Sequence, residues 1–276
     1  MPRRSMLFVP GNSERKLRKA PGLGADSIII DLEDAVPPAS KGEARELLAR
    51  LIHEIDWGNA EVCVRINPLT TLEALRDLEA LVKWDPVSCI VVPKAETDLG
   101  FLYQATGRYI IPLIETPRGI LRIEDVVRAE GVVAVNWGPA DLALSLGGDL
   151  KAYSGNRFVR TLIPIVSHAY GVDPIDKVFF DLNDDEGFRR DCLEAKSLGY
   201  VGKTVIHPKQ VSIANEVFTP TKDEVEWARK VVRAYEERAR RGVGALTLNG
   251  ELIDAVHYRL AKSILERAGA SNAENR

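Results

Sequence analysis

Two carboxylates, Glu115 and Asp141, are the residues of this chain whose positions best suit metal chemistry. Each follows a short apolar run that is typical of a buried strand. Because the carboxyl ends of parallel barrel strands lie at one rim, we expect the two acids to meet there. Two carboxylates suit a hard divalent cation, and the sequence has no His/Cys cluster for a softer metal. On spacing alone, a helix N-cap or a surface salt bridge is the alternative role for both.

Short apolar runs alternate with amphipathic stretches along the first 210 residues and predict the elements that position these acids. This alternation favours a (β/α)8 barrel, assigned to residues 1–220. An open doubly wound sheet is the alternative. It would usually carry a Gly-rich phosphate loop after its first strand, and residues 10–12 (Pro-Gly-Asn) are a weak candidate for one. The eight predicted strands are Ser5–Val9, Ser27–Ile30, Glu61–Ile66, Cys89–Val92, Tyr109–Ile114, Val132–Asn136, Lys177–Phe180 and Lys203–Ile206.

The pattern changes after residue 220. Thr221 and Glu224 form the capping box of a long amphipathic helix. A short hairpin with its turn at residues 249–250 follows, and then a last helix. Residues 221–276 are therefore predicted to be a C-terminal helical and hairpin extension. It packs on its own subunit or acts as a lid over the active site of a neighbouring subunit.

Composition narrows the class of protein. A net charge of −3 over 276 residues gives no support for nucleic-acid binding. No apolar run approaches the ~20 residues of a membrane span, and no apolar leader begins the chain, so we expect a cytoplasmic protein without a membrane partner. The three cysteines, Cys63, Cys89 and Cys192, are scattered and odd in number. We expect buried free thiols rather than disulfides or metal ligands, as in a reducing cytoplasm.

Other charged side chains also fall at the ends of predicted strands. The acids among them either cap a following helix and pair with nearby cations, or they contact a substrate. The histidine is either a loop residue or a ligand contact. The arginine ends an apolar strand, which favours a substrate role because a solvated surface arginine does not need that place. These residues are Asp31, Glu33 and Asp34 after the second strand, Arg65 at the third, Lys94 after the fourth and His207 after the eighth.

Several segments together resemble one known family. They occur in order from about residue 4 to residue 265, and their combination is highly specific although no single segment is. The family is the citrate lyase β-subunit/malyl-CoA lyase family of the HpcH/HpaI aldolase superfamily. The segments are RSMLFVPG (4–11), DLEDAV (31–36), VRIN (64–67), VPK (92–94), IET (114–116), GK with IHP (202–203, 206–208), NEVF (215–218) and GELID (250–254).

This resemblance implies a Mg²⁺-dependent (β/α)8 barrel, with Mn²⁺ as the alternative metal, that cleaves or forms carbon–carbon bonds in 3-hydroxyacyl thioesters. Glu115 and Asp141 correspond to the protein ligands of the metal. Arg65 corresponds to the residue that holds the α-keto acid and polarises its carbonyl. Asp254 corresponds to a catalytic acid that reaches into a neighbouring subunit's site. The resemblance thus implies a homo-oligomer, either a trimer or a hexamer.

The resemblance also implies which residues contact coenzyme A. Arg15 and Lys19 lie one turn apart on a predicted helix, where both can face the CoA phosphates. Many family members place Glu beside the second metal-binding Asp, whereas this chain has Ala140. The substitution bears on which substrate is preferred. The CoA-contacting positions are Phe8, Arg15, Lys19, Ile206 and His207.

Three enzymatic functions follow from these observations. The first is a lyase that acts on a free CoA thioester such as malyl-CoA or citramalyl-CoA, with acyl-CoA and a small α-keto acid as its ligands. The second is a citrate lyase β-subunit, which acts on a citryl group carried by an acyl carrier protein. The third is a metal-dependent pyruvate aldolase that does not use CoA.

Overall fold

The fold is described from a computed structural model, which covers residues 2–239, 246–248 and 251–273. The chain divides into two compact units. The barrel unit contains residues 3–218, and the C-terminal unit contains residues 219–276 together with the first two residues. Each unit has its own buried apolar core.

The barrel unit is a closed ring of eight parallel strands. β1 pairs with β2 on one side and with β8 on the other. This closure confirms the (β/α)8 barrel and excludes the open doubly wound sheet. The strands are β1 (Ser5–Pro10), β2 (Ser27–Asp31), β3 (Glu61–Arg65), β4 (Val87–Val92), β5 (Tyr109–Ile114), β6 (Ala134–Trp137), β7 (Asp173–Asp176) and β8 (Gly202–Val205).

Helices follow the strands and cover the outside of the ring. Along each strand the side chains alternate between the barrel interior and the layer beneath these helices. Met6, Ile29 and Ile111 fill the interior, whereas Leu7 and Ile28 pack under the helices. The helices of this unit are α1 (Glu14–Lys19), α2 (Lys41–Leu51), α3 (Leu72–Leu81), α4 (Gly100–Thr106), α5 (Pro117–Leu121), α6 (Ile123–Val127), α7 (Pro139–Ser145), α8 (Leu150–Ser154), α9 (Arg157–Ala169), α10 (Asp185–Ser197) and α11 (Pro208–Phe218).

The seventh strand lies earlier in the chain than predicted. β7 is Asp173–Asp176, and the apolar run predicted as this strand, Lys177–Phe180, follows it. Its polar sequence, DPID, hides it from a search for apolar runs. Asp176 is fully buried in spite of its charge, because cations from neighbouring elements surround it.

These cations belong to a cluster of charges between the barrel wall and its helices, which we call the wall cluster. Lys203 Nζ lies 2.5 Å from Asp176 Oδ2 and 2.6 Å from Asp191 Oδ2. Arg160 bonds Asp176 at 2.7 Å. Three cations thus meet three acids. The cluster consists of Arg160, Lys177, Lys203, Asp176, Asp191 and Glu194.

The cysteine prediction is wrong for two of the three residues. Cys63 on β3 and Cys89 on β4 are register partners, with Cα atoms 4.5 Å apart, and they form a disulfide inside the barrel. The disulfide could not be predicted from the sequence, because parallel strands bring together residues that a helical crossover keeps distant in the chain. Cys192 is a buried free thiol, as predicted. The inference from free thiols to a reducing compartment loses its basis.

The C-terminal unit is built from two long helices and a hairpin. α12 (Lys222–Ala239) begins with the predicted capping box, in which Thr221 Oγ1 accepts the Glu224 N–H and Glu224 Oε2 accepts the Thr221 N–H. β9 (Leu246–Leu248) and β10 (Glu251–Ile253) pair antiparallel, and α13 (Ala255–Ala273) follows. The predicted turn at 249–250 lies outside the described residues. Among the described residues, no helix combines the length and apolarity needed to cross a membrane.

Candidate active site

Glu115 stands directly after β5 at the carboxyl rim and is only 2% exposed. Its Oε1 accepts the backbone N–H of Lys94 at 2.9 Å. The loop after β6 passes very close to the same side chain, because a Cβ added to Gly138 would lie 2.6 Å from Glu115 Oε2. Glycine at position 138 therefore permits the approach that brings Asp141, in the first turn of α7, to this rim.

Glu115 and Asp141 share one cation position. Lys94 Nζ lies 3.9 Å from Glu115 Oε1 and 3.4 Å from Asp141 Oδ1, so a single positive charge contacts both carboxylates. Burial, together with the negative charges of Asp141 and Glu33, raises the pKa of Glu115 to about 8. A buried carboxylate with so high a pKa lacks sufficient positive charge around it.

These observations fit a hard divalent cation. The donors are carboxylate oxygens, which Mg²⁺ prefers, and two such ligands leave coordination positions open for water or substrate oxygens. A divalent cation between Glu115 and Asp141 would also supply the positive charge that the site lacks. The geometry therefore agrees with the predicted metal role of both residues.

Arg65, the last residue of β3, is buried among three acids at the same rim. It makes a bidentate pair with Asp31 at 2.7 and 2.6 Å, and its Nη1 lies 2.9 Å from Glu33 Oε2 and 3.4 Å from Asp34 Oδ2. Its guanidinium carbon lies 4.9 Å from the centre of the Phe8 ring. Burial alone would lower the pKa of Arg65. The hydrogen bonds with Asp31 and the three negative charges have the larger, opposite effect, so the pKa is raised and the guanidinium stays charged.

The predicted acids after β2 therefore pair with cations, one of the alternatives open from sequence. Asp31 also accepts the backbone N–H groups of Glu33 and Ala35, which fixes the loop. Glu33 lies between the two cations, with its Oε1 3.0 Å from Lys94 Nζ. We call these charges the rim cluster: Asp31, Glu33, Asp34, Arg65, Lys94, Glu115 and Asp141.

One cavity of about 870 Å³ opens at this rim. Arg65, Glu115 and Asp141 line it, and so do the five residues predicted to contact CoA: Phe8, Arg15, Lys19, Ile206 and His207. The structure thus brings together in one cavity the predicted metal, keto-acid and CoA residues of the barrel.

Sequence reasoning missed several other lining residues. Lys16 lies between Arg15 and Lys19 on α1 and adds a third basic group, which a count of charges along that helix would have found. Asn136 and Trp137 end β6, and Phe180 follows β7. Asn136 and Phe180 were missed because each is the last residue of a predicted buried strand, and Trp137 because it directly follows one.

Asp254 belongs to the C-terminal unit, between β10 and α13. Its Oδ1 accepts the N–H of Val256 at 2.9 Å and lies 2.8 Å from His257 Nδ1. The hydrogen bond with the His257 side chain, followed by those from the backbone N–H groups of His257 and Val256, lowers the pKa of Asp254. The carboxyl group is therefore ionised at neutral pH, which suits a base.

Comparison with protein families identifies the barrel. Residues 4–208 match the HpcH/HpaI aldolase/citrate lyase family. The chain belongs to this family. Residues 160–271 also match a family of C–C bond lyases of the TIM-barrel fold. The family and the fold expected from the sequence motifs are thus confirmed, and the protein is an enzyme of the carbon–carbon lyase class.

Individual relatives cover nearly the whole chain. The mitochondrial citramalyl-CoA lyase of Rattus norvegicus is 33% identical, with 97% of this chain and 86% of the relative aligned. The (3S)-malyl-CoA thioesterase of Cereibacter sphaeroides is 34% identical, with 98% and 95% aligned. The crystal structure of CitE from Mycobacterium tuberculosis with magnesium, acetoacetate and coenzyme A superimposes with a TM-score of 0.80 at 30% identity, covering 96% of this chain and 97% of that one.

Proposed function

We propose that this protein is a Mg²⁺-dependent lyase that cleaves or forms a 3-hydroxyacyl-CoA thioester, such as malyl-CoA or citramalyl-CoA, yielding acetyl-CoA and an α-keto acid. One observation carries the proposal. A single cavity is lined by a carboxylate pair suited to a divalent cation, by a buried arginine and by three basic residues of one helix. The relatives named for citramalyl-CoA and malyl-CoA, and the structure with magnesium and coenzyme A, support it.

Arg65 performs the recognition of the keto-acid half. Its pairing with Asp31, Glu33 and Asp34 fixes the guanidinium before substrate arrives, so little reorganisation is needed when charge develops on the keto oxygen. Glu115 and Asp141 would hold Mg²⁺, which would supply Lewis-acid polarisation of the substrate oxygens.

Asp254 is the proposed acid/base. In the cleavage direction its carboxylate takes the proton of the substrate hydroxyl as the C–C bond breaks. The keto acid then leaves, and the bonding electrons remain on the acetyl-CoA enolate. The same carboxyl group returns that proton to the enolate carbon, so one proton moves and none is consumed. We further propose that Asp254 acts at the active site of a neighbouring subunit in a homo-oligomer, a trimer or hexamer.

Free CoA is the proposed carrier of the acyl group. CoA carries three phosphates that a carrier-bound pantetheine or a simple sugar acid does not all provide, and Arg15, Lys16 and Lys19 line the cavity with three positive charges. This observation favours a stand-alone CoA lyase over a citrate lyase β-subunit or a CoA-independent aldolase.

The proposed activity is tested directly by the condensation of acetyl-CoA with a keto acid. Purified protein with Mg²⁺ and acetyl-CoA is incubated with glyoxylate, pyruvate or oxaloacetate in turn, and the condensed thioester is followed by mass spectrometry. We expect product with at least one of them and none after chelation of the metal. Acetyl-pantetheine, which lacks the adenosine phosphates, should react with a much higher KM. The absence of product with all three acids would refute the proposal.

The metal ligands are tested by binding without substrate. Glu115→Gln and Asp141→Asn should each weaken Mn²⁺ binding, measured by electron paramagnetic resonance, by at least about tenfold, because each removes one charged ligand. Asp85→Asn changes an exposed acid and serves as the matched control. Unchanged Mn²⁺ titrations in both ligand variants would place the metal elsewhere.

Two substitutions distinguish the acid/base role of Asp254 from its role as the N-cap of α13. Asp254→Asn keeps an oxygen that caps α13, whereas Asp254→Ala removes it and should cost about 1 kcal/mol of stability. We expect both variants to lose lyase activity by about 100-fold or more, and only the alanine variant to melt earlier. If the acid acts across an interface, inactive Asp254→Ala and Arg65→Ala subunits should regain activity when mixed. An active Asp254→Asn enzyme would limit this residue to capping.

A further inference from the structure

The backbone of Lys94 is unusual. Its φ is 51°, and among the described residues it is the non-glycine residue that takes this left-handed conformation. Side chains other than glycine rarely adopt it, and they keep it where surrounding contacts over-determine the backbone. Here the Lys94 N–H donates to Glu115 Oε1 at 2.9 Å, and the next N–H, of Ala95, donates to Leu113 O at 3.1 Å. The turn thus fixes the lysine beside a proposed metal ligand.

The side chain of Lys94 then brings its ammonium group among three carboxylates. Nζ lies 3.0 Å from Glu33 Oε1, 3.4 Å from Asp141 Oδ1 and 3.9 Å from Glu115 Oε1. These acids come from the rim ends of β2, β5 and β6. The ammonium contacts the two residues that would bind Mg²⁺. The ammonium and the ion therefore compete for the same oxygens.

The charge balance of the rim cluster explains why a cation is held there. Five acids face two cations, and Arg65 is already paired with Asp31, Glu33 and Asp34. Lys94 is thus the cation that contacts Glu115 and Asp141 among the described residues. Burial alone would lower the pKa of Lys94. The hydrogen bond to Glu33 and the nearby acids have the larger, opposite effect, so the pKa is raised and the ammonium stays charged.

We propose that Lys94 is a tethered cation that occupies the metal position in the metal-free enzyme and is displaced from Glu115 and Asp141 when Mg²⁺ binds. The inference rests on the proposed metal site. Its consequence is a double role. The ammonium holds the acidic rim together before metal arrives, and by competing it makes the metal bind more weakly and exchange more readily. Glu33 retains the ammonium after displacement, since it already lies closest to it.

The test measures metal binding in the absence of substrate. Lys94→Asn and Lys94→Gly both tolerate the left-handed backbone and remove the charge, whereas Lys94→Arg keeps the charge. Lys83→Asn, at an exposed lysine that pairs with Glu79, is the control. We expect the Asn and Gly variants to bind Mn²⁺ about tenfold more tightly than wild type, and the Arg and control variants no more tightly than wild type.

Thermal melting gives the second readout. Without metal, the Asn and Gly variants should melt below wild type, because the acids lose their cation; saturating Mg²⁺ should close most of this gap. Equal or weaker Mn²⁺ binding in both folded variants would overturn the proposal. If Glu115→Gln and Asp141→Asn also leave Mn²⁺ binding unchanged, the metal site itself fails. If those two variants lose the metal while the Lys94 variants bind it like wild type, only the inference about Lys94 fails.

Discussion

The wall cluster and the rim cluster contain the same types of charged residue but differ in charge balance. In the wall cluster three cations meet three acids behind the barrel wall. Burial raises the pKa of Asp176, but the positive charges of Lys203 and Arg160 dominate and lower it. In the rim cluster five acids meet two cations, and the pKa of Glu115 rises to about 8. Balance marks a structural network, and excess negative charge marks a place for a further cation.

The sharpest way to break this contrast is to remove a cation from the wall cluster. Lys203→Met leaves Asp176 and Asp191 buried with one fewer partner and should lower the free energy of unfolding by about 3–5 kcal/mol. Urea unfolding measures it. Lys83→Met, which breaks an exposed pair with Glu79, should cost at most about 1 kcal/mol. Mn²⁺ affinity of the folded Lys203→Met protein should match wild type. A stable variant would mean that the wall cluster contributes little to folding.

Changing Arg65, one of the two cations of the rim cluster, should instead affect catalysis. Arg65→Lys keeps the charge but loses the planar fork that pairs with Asp31 and presents donors to the keto acid. We expect kcat/KM to fall by about 100-fold, with a smaller change in stability than for Lys203→Met. Arg50→Lys, at an exposed site, is the matched control. Activity close to wild type in Arg65→Lys would contradict a direct role of the guanidinium.

The smallest expected effect is on the pH dependence of stability. The folded pKa of Glu115, about 8, exceeds its ordinary value of 4.5, so the folded state holds a proton that the unfolded state has released between these pH values. Metal-free protein should therefore lose stability, by at most about 1.4 kcal/mol per pH unit, as pH rises from 4.5 to 8, and change little from this group above that.

Two comparisons sharpen this pH test. Glu115→Gln, which cannot ionise, should lack this part of the slope. Saturating Mg²⁺ should remove it from the wild-type protein, because a bound dication favours the carboxylate. The same slope in Glu115→Gln, measured by denaturant unfolding at several pH values, would assign it to other groups.

Much of the fold and the rim could be predicted because the relevant signals are local. The apolar run Ser27–Ile30, for example, marks a buried strand, and the polar residue just after it, Asp31, marks the rim. β7 escaped prediction because its burial depends on Arg160 and Lys203, which lie in other elements. The Cys63–Cys89 pair escaped for the same reason, since register across β3 and β4 decides it.

The barrel, the family and the charged residues of the rim cluster could be predicted from the sequence, because strand periodicity and motif order are carried by neighbours in the chain. Which charges lie in contact depends on the tertiary structure. The fold brings equal numbers of acids and cations together in the wall cluster, and an excess of acids in the rim cluster. It also holds Lys94 in a left-handed conformation beside Glu115. Electrostatic balance depends on distance and burial in three dimensions, and chain order does not specify either.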